Sequence, residues 1–332
     1  MSTPETSVVM PVRNAGAHLA QALHSLLAQT YEDFELLLVD DHSQDDAIPS
    51  LACVDPRLRI LPSQGRGVVQ AFATGMQAAR GAFVARMDAD DVCLPRRLGA
   101  QIAQLKAQPE LGLVGCLVEW FGEQGVRAGN RHYQDWLNST VSPQEIRDQL
   151  FVECPLPNPS VVFRRSVLEQ LGGYRELDWP EDYDLFLRAD RLGIAMGKTP
   201  ELLLRWREHP GRVTHRDPRY SRHNFQRAKA HHLVHGRLQG RELIVMGAGP
   251  TGRELHDLLS AEGARVQGFL DVHPRRVGGQ KRGLPVWPYT KLGEPDLPLL
   301  LGAVGARGAR SSMRELLASH GHQEGRDYLF MA

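Results

Sequence analysis

Apolar residues alternate along the first half of the chain between short β-branched runs and helical stripes. Ser7 to Val12 is a strand-like run, and Phe34 to Asp41 is another that ends in two carboxylates. Between them, Leu19, Ala22, Leu23, Leu26 and Leu27 recur at the spacing of one helical face. Leu58 to Leu61, Ala82 to Met87 and Leu111 to Cys116 repeat the strand pattern. Pro95 followed by RRLGAQIAQLKAQ predicts a helix with proline in its first turn. Strands alternating with helices predict an α/β fold, a mostly parallel sheet with helices on both faces. In such sheets ligands bind beyond the C-terminal strand ends.

A second unit begins near Arg241. Leu243 to Met246 is apolar, GAGPTG follows, and a helical segment runs to Glu262. Val266 to Asp271, Leu297 to Leu301 and Tyr328 to Met331 read as further strands, which predicts a smaller Rossmann-like α/β domain. The predicted boundaries are 1–215, a basic and partly helical linker over 216–240, and 241–332.

Hydrophobic residues make up 42% of the 332 and charged residues 23%, so each domain can bury a core. Formal net charge is zero, which excludes a global field that recruits nucleic acid. The cysteines, Cys53, Cys93, Cys116 and Cys154, include no CxxC pair. That pattern fits a reducing, cytoplasmic setting and argues against a structural zinc site. MSTPETSVVMPV lacks the features of a secretory leader, and no apolar run approaches the ~18 residues of a membrane span. A membrane-borne partner would therefore be met peripherally, at the inner face of the membrane.

Three acidic stretches carry candidate chemistry. MDADD, from Met87 to Asp91, follows a strand. Carboxylates this dense repel one another unless a cation or several donors sit among them, and Mg²⁺ or Mn²⁺ takes such oxygens together with phosphates. Asp90 and Asp91 would serve equally well as caps of the next helix. VDDHSQDD places Asp40 and Asp41 at a strand end, where a carboxylate accepts a hydrogen bond from a base N–H, or simply builds an Asx turn. In WPEDYDLFLRADRLG the stripe Leu185, Phe186, Ala189 and Leu192 puts Glu181 and Asp182 in a first helical turn. Acids are favoured there by the helix dipole, with or without a catalytic role.

The ordered combination of these stretches, with GGY before PEDYDLFLR, closely resembles the family 2 glycosyltransferases with the GT-A fold over about residues 5–210. The resemblance implies metal-dependent, inverting transfer of a sugar from a nucleotide-diphospho-sugar to a saccharide or lipid-linked acceptor hydroxyl, in cell-surface polysaccharide or glycolipid assembly. It assigns Pro11, Val12, Arg13 and Asn14 to the nucleotide pocket and Asp41 to the base. Asp88 falls to the ribose and donor sugar, Asp90 to the metal (Mn²⁺ or Mg²⁺), and Asp182 to general-base work. As an ordinary aspartate, Asp182 would be ionised at neutral pH without any large shift. LRWREHPG is similar to a family stretch whose histidine approaches the metal or diphosphate, here His209. Two positions depart from the pattern. Phe72, Ala73 and Thr74 stand where a polar diphosphate contact is usual, leaving Arg66 to supply one, and His42 stands where glycine is common.

In the second unit Gly247, Gly249, Gly252 and Asp271 fit a dinucleotide fingerprint, and equally a close strand–helix packing. The stretch GFLDVHPRRVGGQKRGLPV resembles the small domain attached to some bacterial sugar acyltransferases. Arg205 to Arg241 holds ten Lys or Arg against two acids, and six histidines. It reads as a solvated connector or as a surface for anionic lipid. Two rival functions remain: a nucleotide-sugar-binding protein without catalysis, and an NAD-dependent activity in the C-terminal unit.

Overall fold

The computed structural model describes residues 3–51, 55–123, 125–126, 128–305 and 308–331. Cys53 lies outside them. The chain divides into two compact units: Met1–Ile146 with Pro155–Leu177 and Glu181–Asp217, and Arg147–Cys154 with Asp178–Pro180 and Pro218–Ala332.

The first unit is built on strands β1 (Thr6–Val12), β2 (Phe34–Asp40), β3 (Leu58–Pro62), β4 (Phe83–Arg86), β5 (Val92–Cys93), β6 (Leu111–Phe121), β7 (Val162–Arg164) and β8 (Ala195–Arg207). They form one sheet in the order β3-β2-β1-β4-β7-β6-β8-β5. The first four are mutually parallel. β7 enters antiparallel to both β4 and β6, so β6 and its parallel partner β8 run in the direction of β1. The C-terminal ends of β1, β2, β4, β6 and β8 therefore share one edge, the edge where α/β sheets bind ligands.

Helices α1 (His18–Leu27), α2 (Val68–Ala78) and α3 (Arg97–Ala107) connect the early strands. Further along lie α4 (Ala128–Ser139), α5 (Pro143–Gln149), α6 (Arg165–Leu171), α7 (Glu181–Arg191) and α8 (Val213–Arg216). β2 is apolar on both faces because helices cover both, and Leu36, Leu37, Leu38 and Val39 are fully buried. The α1 stripe packs as its spacing predicts, with Leu19, Ala22, Leu23 and Leu26 in the same core as Val8, Met10, Leu36 and Leu38. Pro95 lies outside the helix it introduces, since α3 begins at Arg97 with Arg96 as its cap. Leu192 departs from its predicted stripe. α7 ends at Arg191, and Leu192 is 54% exposed.

The second unit contains α9 (Arg222–His232), a π turn (Leu233–Arg237), α10 (Pro250–Ala261) and α11 (Ala309–Ser319). Its strands are β9 (Leu243–Met246), β10 (Val266–Leu270), β11 (Gln280–Lys281), β12 (Leu284–Trp287), β13 (Leu299–Gly302) and β14 (Tyr328–Phe330). Five of them, in the order β12-β10-β9-β13-β14, are parallel, with β11 antiparallel at the β12 edge. No helix of the described residues is long and apolar enough to cross a membrane.

Candidate functional site

Two groups of side chains stand at the shared strand edge of the first unit. The first gathers at the ends of β1 and β2. Pro11 and buried Val12 finish β1, and exposed Arg13 and Asn14 follow. Asn14 adopts a left-handed φ of 51° and clasps the next loop: its Oδ1 accepts from Gln44 N (2.7 Å) while its N donates to Ser43 Oγ (3.2 Å). Asp41, only 4% exposed, accepts from Gly67 N with both carboxylate oxygens (2.9 and 3.0 Å), and Arg13 Nη1 lies 3.5 Å away. Gly67 caps α2 at φ 90°, a conformation that favours glycine, so the carboxylate meets a helix N-terminus. Arg66 is exposed beside it. His42 sits at φ 55°, the left-handed region, which explains why glycine suits this position.

The second group forms around the loop after β4. Asp88, Asp90 and Asp91 bring carboxylate oxygens within 4.8 Å of one another. Each meets a different basic residue. Arg86 pairs with Asp88. His209 Nε2 lies 2.8 Å from Asp90 Oδ2. Arg207, ending β8, gives its N to Asp91 Oδ1 (2.7 Å) and its Nε to the Asp90 carbonyl (2.6 Å). Burial pushes the Asp90 carboxyl up, but the hydrogen bond and charge of His209 bring it below its ordinary value. Asp91 is 1% exposed and its Oδ2 has no hydrogen-bond partner. Burial, then Asp90 and Asp88, push its carboxyl well up. An orphaned buried oxygen beside two further carboxylates is the donor set a hard divalent cation requires.

α3 fixes this loop from below. Arg97 is fully buried and donates Nη2 to the Arg86 carbonyl (2.7 Å) and Nη1 to Cys93 Sγ (3.0 Å). Gln101 spans to the carbonyls of Val114 (3.1 Å) and Ser160 (2.8 Å).

Asp182 belongs to the first turn of α7 and joins this second group through Arg86. Burial, followed by the charge of Glu181, pushes the Asp182 carboxyl up to about 7, against the pull of Arg86. An ordinary aspartate value, as the sequence suggests, therefore does not hold here. Arg86 is 4% exposed, pairs with Asp88 and interacts electrostatically with Glu181 and Tyr174, so one guanidinium ties the acidic loop to the start of α7. The α7 helix is anchored by the buried Arg188–Asp184 pair (2.7 Å), and Arg188 Nη2 also holds the Gly173 carbonyl (2.7 Å). That explains the GGY signature. Gly172 and Gly173 turn the chain at φ 72° and 65°, and Tyr174 reaches Asn158 and packs with its ring tilted 4.5 Å from that of Phe72.

At the start of α1, His18 lies against the second group. His18 and His209 have ring centroids 5.4 Å apart, and His18 follows the Arg13–Asn14 loop. Burial, then Arg207 and His209, lower the His18 pKa. Sequence reading missed Arg86, Arg97, Arg207 and His18. The alternation Arg86-x-Asp88-x-Asp90 was the available signal for the first, since it places all three on one side of an extended segment.

In the second unit close packing accounts for Gly252 and backbone conformation for Gly247. A Cβ on Gly252 would lie 1.7 Å from the Gly247 carbonyl oxygen, so α10 and the β9 end approach too closely for any side chain. Gly249 caps α10, and Gly247 turns at φ 112°. Asp271 Oδ2 accepts from Ala248 N (2.8 Å) and Arg276 Nη1 (3.0 Å), and Oδ1 from His273 N (2.8 Å).

The family model described as glycosyl transferase family 2 matches residues 7–172, half of the chain. The chain belongs to this family. Among relatives of this transferase, the amylovoran biosynthesis glycosyltransferase AmsE of Erwinia amylovora is 30% identical over 194 residues, 57% of this chain and 70% of AmsE. The O-antigen biosynthesis protein RfbC of Myxococcus xanthus is 34% identical over 215 residues, 62% of this chain but 16% of RfbC. A crystal structure of S. aureus TarS 1-349 in complex with UDP-GlcNAc shares the fold, with a TM-score of 0.55 and 16% identity over 78% of this chain and 71% of that chain. The mixed sheet with its acidic loop after β4 is thus the GT-A arrangement of a glycosyltransferase, with a second, smaller sheet beyond it. Asp182 and His209 lie past the end of the family match.

Proposed function

We propose that the chain transfers a sugar from a nucleotide-diphospho-sugar to an acceptor hydroxyl with inversion at the anomeric carbon, in assembly of a cell-surface polysaccharide or glycolipid. The observation that carries this reading is the grouping of Asp88, Asp90 and Asp91 at a parallel sheet edge, with Arg86 paired to Asp88 and acting electrostatically on Asp182. The names of AmsE and RfbC support the biosynthetic setting.

In this reading Pro11, Val12, Arg13, Asn14, Asp41 and Arg66 line the nucleotide. Asp88 meets the ribose and donor sugar. Asp90 holds Mn²⁺ or Mg²⁺ with His209 beside it, and Asp91 offers its orphaned oxygen. Bound there, the cation supplies Lewis-acid neutralisation of charge on the diphosphate. Asp182 accepts the proton of the acceptor hydroxyl as its oxygen bonds to the anomeric carbon. The bond from that carbon to the diphosphate breaks on the opposite face, which inverts the configuration. A base poised near 7 suits this task, because it is substantially ionised at neutral pH yet basic enough to hold the proton. A thermal-shift screen of nucleotide-sugars with Mn²⁺ tests the donor class. At least one should raise the midpoint in wild type, and none should do so in Asp90→Ala. Equal shifts in both proteins would defeat the metal assignment.

A further inference from the structure

His231 and His235, in the later part of the histidine-rich stretch, stand apart from the transfer site and converge with Glu262 within the second unit. His231 Nδ1 lies 3.0 Å and His235 Nε2 3.1 Å from the same oxygen, Glu262 Oε2. The ligand atoms of all three residues fall within 4.8 Å of one another. We propose that His231, His235 and Glu262 form a second metal site, for a borderline transition-metal dication, zinc first.

Four physical observations carry the assignment. The ligand set is two imidazoles and a carboxylate, which suits zinc and its neighbours and differs from the three-carboxylate cluster of Asp88, Asp90 and Asp91. Bonds of ~2.0–2.1 Å in a tetrahedron separate adjacent ligand atoms by about 3.3 Å, so the two nitrogen–oxygen distances need only slight widening to admit an ion. His231 and His235 stand four residues apart, where the chain passes from α9 into the Leu233–Arg237 π turn. Such turns bring side chains together that a regular helix would stagger differently, and they recur at functional sites. Finally, Glu262 is the C-cap of α10. The negative end of that helix dipole favours a cation.

The residues are also prepared for the ion. Trp179 packs 5.4 Å from the His231 ring and limits its orientations. His235 is 44% exposed at its side chain, which gives an ion a path in and leaves a fourth position for water. Bound there, zinc would clip α9 to α10 and stabilise the folded unit by mass action.

The test uses the full-length chain without a histidine tag. Zn²⁺ is titrated by calorimetry, and Co²⁺ is titrated by visible absorption, which reports nitrogen-containing four-coordinate sites by their intense bands. Wild type should bind one equivalent at micromolar or tighter affinity, with the cobalt bands and a higher melting midpoint. Asp90→Ala should keep all three. His235→Asn, which retains a donor toward Glu262, and Glu262→Gln should weaken binding at least tenfold and lose the bands while melting near the metal-free wild type. Cobalt bands or zinc affinity unchanged in those two variants would overturn the site, as would wild-type protein that takes up no zinc.

Discussion

Both units end parallel strands in carboxylates, but the carboxylates live in different company. Asp271 accepts from Ala248 N, His273 N and Arg276. Burial would raise its carboxyl, and these donors hold it below the ordinary range. Asp91 and Asp182, at the first sheet, are pushed up, because burial and neighbouring acids outweigh the donors they have. An acid just past a parallel strand, Asp271 in one unit and Asp91 in the other, thus has two outcomes: in the second unit it builds a self-satisfied loop. In the other it builds an under-neutralised pocket that a cation and a diphosphate substrate would complete. Excess charge at a sheet edge, rather than the motif itself, separates a site from a scaffold.

The comparison is broken most sharply at Asp182. Asp182→Asn should lower kcat by about 10²–10⁴-fold, the usual contribution of a general base, while calorimetric binding of the nucleotide-sugar changes little. Lost binding with residual turnover would move Asp182 from proton transfer to donor positioning.

At the acidic loop, Asp90→Ala should remove the Mn²⁺ dependence of nucleotide binding, with at least a tenfold rise in Kd in the presence of Mn²⁺. A Kd that still responds to Mn²⁺ would assign the metal to other groups.

The pH profile sharpens the contrast. Asp182 must be ionised to act, so kcat/KM should rise about tenfold per unit below pH 7 and level off above it. Since Arg86 pulls that carboxyl down, Arg86→Gln should shift the limb to higher pH. For stability the sign is opposite. The folded pKa is raised, so the contribution is complete below about 4 and is lost as pH rises through about 7. A limb that stays near 4 in the wild type would remove the burial argument.

The smallest effect belongs to the second unit. Asp271→Ala leaves Ala248 N and His273 N without their acceptor and should cost about 1–3 kcal/mol, read as a lower melting midpoint, with nucleotide-sugar transfer unchanged. A comparable loss of transfer would give the second unit a part in the reaction.

The sequence by itself determined the family, the α/β class and the acidic stretches, because these depend on local order: period-two runs, helical stripes and carboxylates just past strand ends. β1, β2, β4 and α1 were legible for that reason. β7 and β8 were not, since β7 is three residues long and β8 contains polar positions that only its neighbours on β6 bury. Arg86, Arg97 and Arg207 were equally invisible. An arginine reads as surface until the fold wraps it, and only the packed structure puts these guanidiniums against Asp88, the Arg86 carbonyl and the Asp90 carbonyl. The histidines were countable in sequence, but their convergence on Glu262 depends on where two helices end. Chemistry resides in distances between residues far apart in the chain, and those distances are set by burial and close packing, which tertiary structure alone decides.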